Sequence, residues 1–172
     1  MTKTVLQLVA LGIVLLLAQV ICNKIVLLDV ATPIVFIYLI LRLPVYFSKN
    51  WTYTIAFVLG FIVDLFNNTM GMNALSCTLL AAMRRPVFEA YFTRDDDMSN
   101  PRPSIASLGV GGYLKYMSTM VLAYCTILFL IQAFSLHDIV LTLCRIVASS
   151  ALTVLLLFGI DTLVSTQREE RL

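Results

Sequence analysis

Of the 172 residues, 60% are apolar and only 13% are charged, where a soluble domain carries about a quarter charged residues. That composition excludes an ordinary soluble domain, and a net charge of +2 leaves no electrostatic footprint for nucleic acid. A bilayer-crossing helix needs about 20 residues, so the expected fold is an all-α integral membrane protein: one polytopic domain, residues 1–172, with six transmembrane helices.

Residues 4–22 make the first expected span. Lys3 precedes the apolar run, as in a signal peptide, but the run ends Val20-Ile21-Cys22-Asn23 without a small-residue cleavage site. It therefore reads as a retained helix. The second span, 25–43, carries Asp29 near its start and Pro33 in its upper third, and Arg42 and Pro44 close it. Trp51 and Tyr53 stand where an interfacial aromatic belt is expected, ahead of the third span, 52–66. An Asn/Gly turn follows. The fourth span, 71–83, is short and ends at Arg84-Arg85-Pro86.

Beyond it, Phe88, Tyr91 and Phe92 fall at helical spacing on one face. This pattern predicts an aromatic segment lying on the membrane surface. With Arg84 and Arg85 it forms a candidate contact for a partner or for lipid. Residues 84–111 are read as one cytoplasmic loop, and within it 93–107 is the only long polar segment. Its Arg94-Asp95-Asp96-Asp97 run reads as a solvated acidic loop, because adjacent carboxylates do not converge readily on one ion. Gly109-Val110-Gly111-Gly112 lacks the Lys-Ser/Thr of a phosphate loop and reads as a flexible re-entry into the membrane. Spans five and six are placed at 113–134 and 139–163.

Lys and Arg enrichment sets orientation. With both termini cytoplasmic, Lys3, Arg42, Lys49, Arg84, Arg85, Arg94 and most other basic residues fall inside or at the inner boundary, and only Lys24 in an outer loop. Cys22, Cys77, Cys125 and Cys144 sit singly in apolar runs, without CxxC or Cys/His clustering, so no metal or cofactor is expected. His137, the only histidine, reads as an exposed turn residue, since no nucleophile motif accompanies it.

The chain is organised around 60–75, where an apolar helix reaches Asp64, breaks at Asn67-Asn68 and restarts after Gly71. A carboxylate within an apolar span marks a functional-site candidate. Depth counting puts Asp64, Asp29 and Arg145 at one level, so Arg145 is expected to pair with Asp64 or Asp29. Holding helices together is the simplest use of such a pair. Asp161 lies some seven to eight tenths of a bilayer away along the sixth helix and is expected at the solvated cytoplasmic boundary.

These residues resemble those of the rod shape-determining protein MreD family. The likeness rests on Gly60-Phe61-Ile62-Val63-Asp64-Leu65, then Gly71 and Leu75, then the short helix ending in Arg84-Arg85-Pro86, with Pro33 and Leu43-Pro44 fitting the second helix. The resemblance implies a multi-pass protein of the bacterial inner membrane and a fold similar to the substrate-binding subunits of energy-coupling-factor transporters. It implies a non-enzymatic scaffold of the cell-elongation machinery that binds MreC. Through that partner it would reach MreB and the RodA–penicillin-binding-protein synthase, organising peptidoglycan synthesis and cell shape. Two other classes compete: a small-molecule-binding subunit of a transporter, with an outward cavity ringed by Asp29, Asp64 and Arg145, and an intramembrane protease using two carboxylates.

Overall fold

The computed structural model describes residues 2–22, 32–69, 71–92, 103, 105–132 and 139–169. Six helices make up the architecture, and no strand occurs among the described residues. They are α1 (Thr2–Cys22), α2 (Ile37–Arg42), α3 (Lys49–Asn67), α4 (Met72–Tyr91), α5 (Ile105–Gln132) and α6 (Ile139–Glu169). Helix α3 packs on α4, α4 on α5 and α5 on α6. Two stretches, Leu108–Gln132 and Ile139–Thr162, are long and apolar enough to cross a membrane.

The second element departs from the expected span. Its described part is not one helix: residues 32–35 are non-helical and α2 is only six residues long. Pro33 accounts for this locally. A proline biases the residue before it away from the helical region and supplies no backbone donor of its own. The freed backbone groups are collected by side chains from two other helices. Gln19 of α1 donates through Nε2 to the Pro33 carbonyl (3.0 Å). Its Oε1 accepts from the N–H of Val35 (2.7 Å) and of Phe36 (3.4 Å). From α6, Thr153 Oγ1 accepts the Ile34 N–H and Ser149 Oγ accepts the Thr32 N–H, both at 3.1 Å. A broken helix is stable in an apolar interior when its neighbours meet its backbone polarity in this way.

The consequence is that 34–41 becomes the centre of the core. Ile34 through Leu41 are all buried. Phe36 meets Tyr124 of α5 edge-on, ring centroids 6.0 Å apart.

Helix α4 also differs from expectation. It continues through Arg84-Arg85-Pro86 to Tyr91, so 87–92 is not a separate surface segment but the last turns of a core helix. Phe88 is buried, its ring tilted against Phe92 and edge-on to Tyr116. Residues 84–91 and 105–111 accordingly leave the expected loop and join helices, with a break at Gly109 (φ 70°) inside α5.

Polarity is distributed inside out. Gln19, Thr52, Asp64, Asn73, Ser76, Arg84, Ser149, Thr153 and Asp161 are buried. Outside stand Ile13, Val14, Leu17 and Ile21 on α1, Phe57, Phe61 and Leu65 on α3, and Leu143, Val147 and Leu155 on α6.

Candidate functional site

Asp64 lies in the last turns of α3, 2% exposed, and the whole α3–α4 turn is built around it. The helix ends in a left-handed residue, Asn68 (φ 55°), and α4 begins after a second one, Gly71 (φ 74°). The backbone N–H groups of Asn68 and Thr69 both close on the Asp64 carbonyl. This geometry swings the start of α4 under the Asp64 side chain. Oδ1 accepts from the Thr69 hydroxyl, from the Asn73 N–H (3.0 Å) and from Asn73 Nδ2 (2.9 Å), while Oδ2 accepts the Ala74 N–H (2.8 Å).

The carboxylate therefore caps the N-terminus of α4. Orphan donors and the positive end of the helix dipole converge there. Gly60, one turn before Asp64, lets the helices close. A Cβ at this position would come within 2.6 Å of the Ala74 Cα and the Asn73 carbonyl oxygen. Asn73 extends the joint to a third helix, accepting the Tyr124 hydroxyl of α5 at 2.8 Å.

Three of the motif positions, Gly60, Asp64 and Gly71, thus form one structural unit with Asn73. The expected pairing of Asp64 with Arg145 does not occur: the carboxylate is taken up by its own hairpin. The ion pairs among the described residues are Arg42–Asp161 and Arg85–Glu89. Arg145 is half-buried on α6, with its Nε shielded and without a hydrogen-bond partner. Asp29, the other expected partner, lies outside the described residues, as do His137 and the 94–97 run.

A second polar cluster joins α2 to α6, and it corrects the expectation for Asp161. That carboxylate is not solvated but fully buried. It accepts from the Tyr38 hydroxyl (2.6 Å) and stands 3.4 Å from Arg42 Nη1, which also donates to the Tyr38 hydroxyl. Arg42 and Asp161 had both been visible as opposite charges near the inner ends of two helices, and that was the available signal for their pairing. Asn73, Gln19 and Tyr38 had no such signal: a lone polar residue in an apolar run does not name its partner.

The third cluster concerns the residues expected to meet lipid or a partner. Arg84 is not on the surface. It is 2% exposed, and its Nη2 donates to the carbonyls of Leu43 and Pro44. Arg85 remains partly exposed, bonded to Glu89 at 3.0 Å and stacked over Tyr46. Tyr91 is exposed and Phe92 half-buried against Gly112.

A pocket of about 80 Å³ lies beside the Asp64 joint, lined by Gln19, Thr32, Asn67, Thr69, Asn73 and Gln132 among others. An open apolar groove of about 530 Å³ runs between α5 and α6 along Leu114, Leu122, Val147, Ala151 and Leu155. No group of His, Cys, Asp and Glu suited to a metal occurs among the described residues. No family model, curated protein or solved structure matches the chain.

Proposed function

We propose that this chain is a polytopic membrane protein with both termini in the cytoplasm, acting as a scaffold rather than as an enzyme. The inside-out distribution of polarity supports the membrane placement. A soluble protein gains stability by hiding residues such as Phe57, Phe61, Leu65 and Val147, whereas here they face outward while Asp64, Arg84 and Asp161 are enclosed. Two further features fit lipid. The backbone N–H groups of 32, 34, 35 and 36 and the Pro33 carbonyl are all met by side chains from within the protein, as hydrocarbon demands. The helices α5 and α6 have spanning length.

Within that class, the particular reading is a member of the rod shape-determining MreD kind, in the bacterial inner membrane. It would hold MreC and, through it, MreB and the RodA–penicillin-binding-protein synthase. The observation that carries the scaffold reading is the state of the motif carboxylate. All four donors that reach Asp64 come from residues 69–74. A group so occupied builds a rigid α3–α4 hairpin and is not poised to share a proton with a second carboxylate, as an intramembrane protease requires. Asp161, the other buried carboxylate among the described residues, belongs to a different cluster with its own cation.

The adjoining pocket, about 80 Å³, is also small beside the roughly 300–1,000 Å³ of a typical metabolite site. That weighs against a transporter's binding subunit. Gentle detergent extraction from native membranes tests the proposal. The expected result is co-purification with a single-span protein carrying a periplasmic domain. A chain that runs alone, or one that mass spectrometry finds holding a stoichiometric metabolite, defeats it.

A further inference from the structure

We propose that the inner end of the α3–α4 hairpin is a binding site for a phosphate group, and that Arg84 is its anchor. The starting observation is a charge without a counter-charge. Arg84 is buried, yet neither ion pair among the described residues includes it. Two backbone carbonyls accept from one of its terminal nitrogens, and its Nε has no hydrogen-bond partner. Carbonyl dipoles orient a guanidinium but do not neutralise it, and removing an unneutralised cation from water is expensive. A planar fork of donors, held in place and still positive, is suited to a phosphate or carboxylate.

The surroundings extend the argument. Arg84 lines a pocket of about 110 Å³ of mixed polarity, whose polar residues are Lys49, Thr52, Tyr53, Arg84 and Arg85. Three cations thus border one small cavity. Among the described residues, the single acid paired with any of them is Glu89, bonded to Arg85. The pocket also receives the N-terminus of α3, a helix of 19 residues whose Ser48 cap makes no side-chain hydrogen bond. The first-turn N–H groups of a helix lack intrahelical partners, and with the helix dipole they favour an anion. Phe47 and Trp51 stand exposed at the same level, as apolar neighbours of a headgroup site in the interface do.

Phosphate at this place has two sources, the headgroup of an anionic phospholipid or a free phosphate compound. Basic pockets between membrane helices on the cytoplasmic side take lipid phosphates, and the membrane placement proposed above puts the pocket there. The site itself rests on the geometry alone, and its test is independent of any partner protein.

The test uses the full chain, delipidated in a neutral detergent. Binding is read by the fluorescence of Trp51, the only tryptophan, and by the unfolding temperature. The probes are dihexanoyl phosphatidylglycerol, dihexanoyl phosphatidylcholine and inorganic phosphate. Phosphatidylglycerol is expected to bind and to raise the unfolding temperature, with phosphatidylcholine much weaker. Lys49→Ala, an exposed change, is expected to weaken binding about fivefold while leaving the ligand-free unfolding temperature in place. Arg84→Lys, which keeps the charge and loses the fork, weakens it further. If inorganic phosphate alone reproduces the effect, the site stands and its ligand is a soluble phosphate; if only the lipid does, its ligand is the headgroup. Equal binding of phosphatidylglycerol and phosphatidylcholine, no binding of any probe, or unchanged affinity in Lys49→Ala overturns the site. A chain that co-purifies with a single-span partner yet ignores all three probes would lose the site and keep the scaffold reading.

Discussion

Asp64 and Arg84 are buried to the same degree, 2% exposed each, and sit toward opposite ends of the α3–α4 hairpin. They are settled in opposite ways. Asp64 collects two backbone N–H groups, an amide and a hydroxyl from the ten residues that follow it. Arg84 reaches across to the α2–α3 connection, where it donates to two carbonyl oxygens, and the buried Tyr116 hydroxyl of α5 lies beside it; none of these carries a negative charge. In the first case converging donors and a helix dipole balance the charge, and the product is a fixed turn. In the second the charge is positioned and left standing. A buried charge met by its own chain belongs to architecture; one that is merely aimed is available to something outside.

Breaking the first half of that contrast should have the largest effect. Asp64→Ala leaves up to four donors without an acceptor, at about 1–3 kcal/mol each when buried, so a loss of roughly 3–6 kcal/mol is expected even with partial repair. Size-exclusion profile and thermal unfolding in detergent would measure it, and a well-folded Asp64→Ala protein would remove the joint from the argument. Gly60→Leu comes next. The added Cβ meets backbone atoms of Asn73 and Ala74 at 2.6 Å, which do not move aside as a side chain does. Overpacking of this kind costs about 1–3 kcal/mol, and the joint it prises open adds to that. The Asn73–Tyr124 contact should loosen with it, visible as faster hydrogen exchange at the α4 N-terminus.

A similar but smaller loss is expected at Gln19. Gln19→Leu keeps the volume and removes the group that serves Pro33, Val35 and Phe36. About 2 kcal/mol follows from the orphaned backbone groups, with exchange rising at the Val35 and Phe36 amides and not at Asp64. Equal exchange at both places would mean that the core segment and the hairpin melt together, and that the two regions are one cooperative unit.

These residues also mark how far sequence reasoning reached. The apolar run broken by Asp64, Asn67, Asn68 and Gly71 announced a site without its partners, because Thr69 and Asn73 are ordinary turn and helix-start residues until the left-handed Asn68 and Gly71 fold them back. Gly60 was legible as a motif position but not as a point of contact: that depends on which helix lies alongside. The second span was read as one continuous helix because hydropathy counts residues and does not see backbone. Pro33 permitted the break, while Gln19, Ser149 and Thr153, from helices distant in sequence, made it stable. Asp161 was assigned to solvent by its depth along α6, when depth alone also matched it to Arg42. The position of Arg84, closing a short apolar run within a basic stretch, points to the surface, since arginine at a helix end usually snorkels outward. The all-helical class and the apolar length of α5 and α6 were legible because they follow from local runs of apolar residues.

The smallest effect expected is the one that sharpens the contrast most. Arg84→Met keeps the unbranched stem in its core position and deletes the charge. Two carbonyls, Leu43 and Pro44, lose a donor, but a carbonyl tolerates that better than an amide does. The removal of an uncompensated cation from a buried place works in the opposite direction. The balance should lie within about 1 kcal/mol of zero, far below the cost of Asp64→Ala. If Arg84 is structural in the sense that Asp64 is, the two variants would unfold at similarly depressed temperatures. A stable Arg84→Met protein that no longer responds to phosphatidylglycerol would separate them. Such a result would place stability at the Asp64 end of the hairpin and ligand recognition at the other.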